Sequence, residues 1–240
     1  MKNRGRGFSL VELMIVLLVL MIVMGAIFQL INTATKRSST EQAKLDMFQE
    51  AREFMDQMSR DLRAAGYPSP RNVAQSLLTA TPTENDTHAA AGLVMVADGE
   101  LWFEADVEGN GTVSVVHYWL DTGTGGNCPC LKRSQLPKVA GNPYTGQTDP
   151  VYQTEVQGVQ NTSIFSAFEH GATGTPLTLP INFIDDDHTI AAIDTIQAVL
   201  TVQSTYFDPD TRIRPLSTLA ITVKLNNCSQ AANGEAMSCR

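Results

Sequence analysis

The chain has 240 residues, 43% of them hydrophobic and 18% charged, with 25 acidic side chains against 17 basic and a formal net charge of −8. That length holds one soluble domain with a sizeable core and a few extra elements. An acidic body offers no electrostatic footprint to a phosphate backbone, which excludes direct nucleic-acid binding as the expected role.

Charge and hydropathy are concentrated at the start. Residues 1–7 hold Lys2, Arg4 and Arg6 and no acid; without them 14 basic residues face 25 acidic ones, a net charge of −11. From Leu13 to Phe28 sixteen residues carry no polar side chain, and past Gln29 the run continues to Ile31. A bilayer core takes roughly 20 apolar helical residues, so this run predicts a single membrane span. The basic flank predicts a cytoplasmic start and an exported remainder. A secretory signal is cut after its apolar core at a small-residue site. Here the apolar run is longer than such a core, and Glu12 stands at its edge, where a lone carboxylate is costly unless it finds a partner.

Gly7-Phe8-Ser9-Leu10-Val11-Glu12-Leu13, behind the basic leader and ahead of the apolar run, resembles the class III signal of type IV prepilins and type II secretion pseudopilins. The resemblance implies that a membrane aspartyl peptidase cuts after Gly7 and methylates the new N-terminus. Phe8 would then be the N-methylated first residue and Glu12 the fifth. It also implies that Glu12 pairs with the N-terminal amine of a neighbouring subunit and so fixes axial register. Physical chemistry is consistent with this, because a paired charge in an apolar setting costs far less than an isolated one. Taken alone, Glu12 also fits a side chain snorkelling at the lipid interface.

Gly25 is the only glycine between Gly7 and Gly66, and no proline precedes Pro68. One helix from about Ser9 to Ala65 is therefore predicted, closed by Gly66 as a C-terminal cap and Pro68 as a stop. Its second half turns amphipathic. Phe48, Ala51, Met55, Met58, Leu62 and Ala65 form one stripe, and Glu50, Arg52, Glu53, Asp56, Arg60 and Arg63 cover the rest. The stripe could pack on the chain's own β-sheet or in a coiled coil with another chain. The short repeat and the sheet-rich segment that follows favour the first.

After a loop at 69–90, hairpin strands are predicted at Leu93–Ala97 and Leu101–Ala105 around Asp98-Gly99, then a turn at 106–111 and a strand at 112–120. On the last of these, Val113, Val115, His117 and Trp119 share a face. Further strands read at 161–168, 195–203 and 216–225; in the last, Leu219, Ile221, Val223 and Leu225 face one way. The expected fold class is α+β: a long N-terminal helix, half membrane-spanning and half amphipathic, packed against an antiparallel β-sheet head. The expected division is leader 1–7, membrane or filament-core helix 8–31, stalk helix 32–66 and head 67–240. The helix end Arg60-Asp61-Leu62-Arg63 into Gly66-Tyr67 is similar to PilW-type minor pilins, with a comparable element in J-type pseudopilins. The stretch from Leu101 to Gly111, followed by Val116–Leu120 and Leu131-Lys132-Arg133, also resembles PilW-type proteins.

The four cysteines are Cys128, Cys130, Cys228 and Cys239. In an exported domain disulfides persist. A Cys228–Cys239 bond would tie down the C-terminal tail, whereas Cys128 and Cys130 could bond to each other in a tight ring or cross-pair with the C-terminal pair. Neither pair has zinc-ligand spacing or a partner histidine, and no metal or other cofactor is expected. Asp106, Glu108 and Asn110 alternate like calcium ligands, but His117 stands where the loop needs its last acid, so a solvated turn is expected. Asp185-Asp186-Asp187-His188 reads as an acidic loop between strands. His88, His117, His170 and His188 are scattered, and no nucleophile elbow, phosphate loop, dinucleotide fingerprint or zinc-protease motif is present in the sequence. The resemblance therefore implies a non-enzymatic minor pilin in the inner membrane with a periplasmic head, later part of a pilus. Implied partners are the prepilin peptidase/N-methyltransferase, other minor pilins, the major pilin and the inner-membrane assembly platform. A J-type pseudopilin and a signal-anchored adhesin domain are the alternatives.

Overall fold

The structure, a computed structural model, describes residues 9–123, 128–169, 174–204, 206–208 and 211–226. Gly7, Phe8, His170, Cys228 and Cys239 lie outside the described residues. With no proline to break it, α1 (Leu10–Ala64) runs 55 residues, or ~82 Å at the α-helical rise. Gly66 ends it with φ +78°, a left-handed conformation that a residue with a Cβ adopts at a cost. The Gly66 N–H donates to the Glu104 carbonyl at 2.9 Å, and the Asp106 N–H donates back to the Tyr67 carbonyl at 2.8 Å. The helix end is thus stitched directly to a strand of the head.

Among its described residues the head holds nine strands and one short α-helix. In chain order these are β1 (Leu93–Ala97), β2 (Glu100–Ala105), β3 (Ser114–Asp121), β4 (Cys130–Pro137), β5 (Gln153–Gln157), β6 (Phe165–Phe168), β7 (Ile181–Asn182), α2 (Asp187–Ala192), β8 (Thr195–Gln203) and β9 (Leu216–Lys224). One antiparallel sheet has the order β5-β4-β3-β2-β1-β7 and the other β6-β8-β9. Residues just past β5 join them: Val159 bridges Val202, and the Gln160 N–H donates to the Thr201 carbonyl at 2.8 Å.

The C-terminal half of α1 lies against β5, β8 and β9. Of the expected stripe, Ala51, Met55, Met58, Leu62 and Ala65 are buried and Phe48 is half-buried, while Phe54 and Asp61 join the buried face. Its partner is this chain's own head. The charged residues named for the outer face are all exposed. On β9 Val223 is buried and Leu219 and Ile221 half-buried, with Leu225 buried just past the strand and Thr218, Ala220, Thr222 and Lys224 outside, the expected alternation.

Several expectations need correction. The strand read at 161–168 forms only over Phe165–Phe168, and the Asn161 side chain instead bonds the middle of β8, accepting from the Thr201 N–H and donating to the Val199 carbonyl. Of the acidic loop expected at 185–188, Asp187 and His188 instead form the start of α2, which buries Ile190 and Ala191. Strands β4 and β5 were not expected: CLKRSQLP and QTEVQ lack the apolar alternation that marks a strand. On β3 both faces are covered, since Tyr144 and Tyr152 of the segment after β4 close over the face that carries His117 and Trp119.

Candidate functional site

Two halves of one helix behave differently. From Leu10 to Ile31 every residue of α1 is exposed, so the span-length apolar surface touches nothing in this chain. It is the one described helix apolar and long enough to cross a bilayer. Glu12 sits in its first turn, on bare apolar surface, with no hydrogen-bond or ion-pair partner among the described residues. A lone carboxylate at the edge of an apolar run is costly in lipid. The expected cleavage residues Gly7 and Phe8 precede the described region.

The second half is bolted to the head by polar side chains. Asp61, on the buried face of α1, accepts at Oδ2 from the Tyr118 hydroxyl at 2.7 Å and from Arg133 Nε and Nη2 at 3.1 and 2.8 Å. Arg133 also donates to the Gln135 side chain at 2.7 Å. Burial, reinforced by the Asp61 charge, holds the Tyr118 phenol well above its ordinary pKa. For Arg133 the surrounding Tyr118 and Asp61 oxygens outweigh desolvation, and the cation is favoured.

A second buried cluster clamps the loop after the helix. Lys138 and Glu104 are fully buried, and Lys138 Nζ donates to Glu104 Oε2 at 2.7 Å and to the Ala89 carbonyl at 2.7 Å, as well as to the Glu84 carbonyl. The Ala91 N–H adds a bond to the same Glu104 oxygen at 2.8 Å. Burial pushes the Glu104 carboxyl up, and Lys138 opposes it. Burial also raises Glu84, whose two carboxyl oxygens have no hydrogen-bond partner. Burial would lift Asp86 too, but bonds from His88, Thr79 and Ala80 prevail and hold it far below the carboxylate range.

Cys128 and Cys130 are joined in a disulfide, with Cα atoms 4.4 Å apart. At the turn after β2, Asp106 accepts from the Asn110 and Gly111 N–H groups at 3.1 and 2.8 Å, and Glu108 accepts from the Asn110 and Gln135 side chains. The oxygens that resembled a calcium set are bonded within the turn and to Gln135 of β4. Among the described residues no cluster of three or more His, Cys, Asp or Glu side chains has a metal-holding arrangement. His117 is buried between Glu100, 2.6 Å from Nε2, and the Tyr152 hydroxyl, 2.9 Å from Nδ1, and stacks on Trp102. Burial and the Glu100 charge push the Tyr152 phenol up to about 12. These are packing and bonding roles.

Sequence reasoning missed Asp61, Glu104, Arg133 and Lys138 as a set. Asp61 carried one visible signal, a carboxylate beside Leu62 on the apolar stripe. Lys138 carried none, because its burial depends on a loop folding over it.

A family model described as the prokaryotic N-terminal methylation motif matches residues 2–28. The match covers the basic leader, Glu12 and most of the bare apolar run, and it supports a type IV pilin-like or pseudopilin precursor. No curated protein and no solved structure matches the chain.

Proposed function

We propose that the chain is a minor type IV pilin of the PilW kind, acting with other minor pilins in a complex that primes or tips a pilus. The observation that carries this is the methylation motif over residues 2–28 placed on a helix whose next 22 described positions, Leu10–Ile31, are bare. After cleavage behind Gly7, Glu12 would stand four residues past the new amine of Phe8. Neighbouring subunits can then exchange that pair, which offsets the cost of Glu12 in an apolar setting. The helix would enter the filament core, and the head, bolted at Asp61, would stay outside. Closeness of the helix end to the Ala105–Gly111 turn, the two stretches with PilW-like sequence, is compatible with this reading.

N-terminal sequencing of the mature protein tests the first step. It should begin at N-methyl-Phe8; an uncut Met1, or a start beyond the apolar run, defeats the proposal. Deleting the gene tests the second: loss of pili with normal secretion is expected, whereas lost secretion with normal pili assigns the chain to a type II pseudopilus. Glu12→Ala should leave membrane insertion intact and reduce piliation by about tenfold or more, the scale of one desolvated ion pair. Unchanged piliation would remove the register role.

A further inference from the structure

The loop that Lys138 clamps carries more acceptors than that one ammonium serves. Glu84, Asp86 and Glu104 are exposed to 1, 3 and 0% and stand against Lys138, at 5%. Three carboxylates against one ammonium leave two negative charges in excess. Asp86 is accounted for locally, because the Thr79, Ala80 and His88 N–H groups bond its oxygens. The others are not. Both Glu84 carboxyl oxygens, Glu104 Oε1 and Asn85 Oδ1 are buried without a hydrogen-bond partner. One ammonium gathers the residues that carry them: Lys138 Nζ bonds the Glu84 carbonyl and Glu104 Oε2. The Glu84 carboxyl feels the charges of both Lys138 and Glu104. The Asn85 carbonyl is tied in turn to the Gly141 N–H at 3.0 Å.

Four buried acceptors with no donor among them select what can complete the cluster. A water molecule brings two protons and no charge, and a proton on Glu84 serves one oxygen. A cation serves all four and offsets the excess charge. Every ligand atom is oxygen, with no imidazole or thiolate, which suits a hard ion and not zinc or copper. Calcium accepts bidentate carboxylates and amide oxygens in flexible geometry. Magnesium keeps several waters, for which so buried a site has little room. The set holds two acids and an amide, so it lies outside any grouping of three His, Cys, Asp or Glu side chains.

We infer that Glu84, Asn85 and Glu104 bind one calcium ion, which together with Lys138 locks the loop at 83–92 onto β2. Glu84 binds through both oxygens, Asn85 through Oδ1 and Glu104 through Oε1, while Glu104 Oε2 stays on Lys138. Two carboxylates place the affinity in the weak class of extracellular modules, about 10⁻⁴–10⁻³ M. The site belongs to the head alone, so it stands whichever filament the chain joins.

The test is thermal unfolding of the full chain in mild detergent at neutral pH and equal ionic strength, in calcium, magnesium or EGTA at about 5 mM. Calcium should raise the melting temperature by about 5 °C over EGTA, and magnesium by less than about half as much. Glu84→Gln should melt above the native chain in EGTA, because a buried charge is gone, and should lose the calcium shift. Glu108→Gln, in the turn at 106–111, should keep it in full. Terbium, a calcium mimic, reads binding without unfolding. Excited through Trp102, two residues from Glu104 and on the same face of β2, it should luminesce at about one ion per chain and be displaced by calcium. Asn85→Ala reads the loss of terbium where Glu84→Gln does not fold. Equal melting in calcium and EGTA overturns the inference. So does a calcium shift that survives Glu84→Gln or vanishes with Glu108→Gln, since either places the ion elsewhere.

Discussion

Replacing Lys138 by Met removes an ammonium whose three protons go to Glu104, Ala89 and Glu84 oxygens. What remains is a Glu104 carboxyl with no solvent exposure, one bond from the Ala91 N–H, a bare Oε1, and two carbonyls without their donor. Breaking a buried pair from one side costs about 3–5 kcal/mol. In a head of this size each kcal/mol moves the melting temperature by about 2–4 °C, so Lys138→Met should melt roughly 10 °C lower at pH 7.5. The loss should depend on pH. Glu104 already has a raised folded pKa, and without Lys138 it rises further. An acid with a raised folded pKa contributes stability below its unfolded value of ~4.3 and loses it as pH rises through the folded value. The variant should thus recover most of its deficit near pH ~4, where the carboxyl is neutral. Adding Glu104→Gln should restore most of the melting temperature at pH 7.5, since the orphaned charge is gone. Thermal unfolding of the full chain in mild detergent, followed by near-ultraviolet circular dichroism, measures all three. A deficit independent of pH, or a double variant as unstable as the single one, would refute the reasoning.

Glu84 is the converse case: its carboxyl is buried, unpartnered and raised, so ionisation at neutral pH works against the fold. Glu84→Gln should raise stability by about 1–2 kcal/mol at pH 7.5 in urea titrations, with the gain fading towards pH ~4. Asp86 behaves oppositely, because its folded pKa is depressed by the bonds from His88, Thr79 and Ala80. Its contribution is full above ~3.9 and is lost progressively as pH falls from there through the depressed folded value, so Asp86→Asn should cost about 1–3 kcal/mol at pH 7 and distinctly less near pH ~2. Met58→Ala, at a fully buried position of the α1 stripe, should cost about 2–5 kcal/mol.

The long helix was legible because its signals are local: absent proline, one interior glycine, a stripe at helical spacing and Gly66 at its end. The hairpin at Asp98-Gly99 and strands β8 and β9 were legible for the same reason. Strands β4 and β5 were not, because their pairing energy comes from neighbours in the sheet and their side chains serve other ends. Lys132 bonds Asp121 at 2.6 Å, Arg133 bonds Asp61, and only Val156 of β5 is buried. At the site, Glu12 stood out as one acid in an apolar run. The Lys138–Glu104 pair was invisible, since a lysine after a strand and a glutamate within one both read as solvent-facing until the loop at 83–92 closes over them.

The division of α1 into a bare half and a buried half sets where the head can be separated from its anchor. Among the described residues nothing before Thr40 is buried, whereas Ala51, Phe54, Met55, Met58 and Leu62 seal the sheets and Asp61 holds Tyr118 and Arg133. A chain beginning at Ser38 keeps all of these. A chain beginning at Gln57 loses Ala51, Phe54 and Met55. Each large side chain among them is worth about 1.5–3 kcal/mol of burial, so about 5 kcal/mol in all goes with them. Marginal stability of a domain is about 5–15 kcal/mol, so that loss is comparable to the whole. The Ser38 chain should therefore unfold cooperatively in urea with dispersed amide resonances, and the Gln57 chain should show collapsed dispersion. Equal cooperativity in the two would mean that the head does not need the helix to complete its core, and that the seam at Ala51–Leu62 is an attachment and not part of the fold.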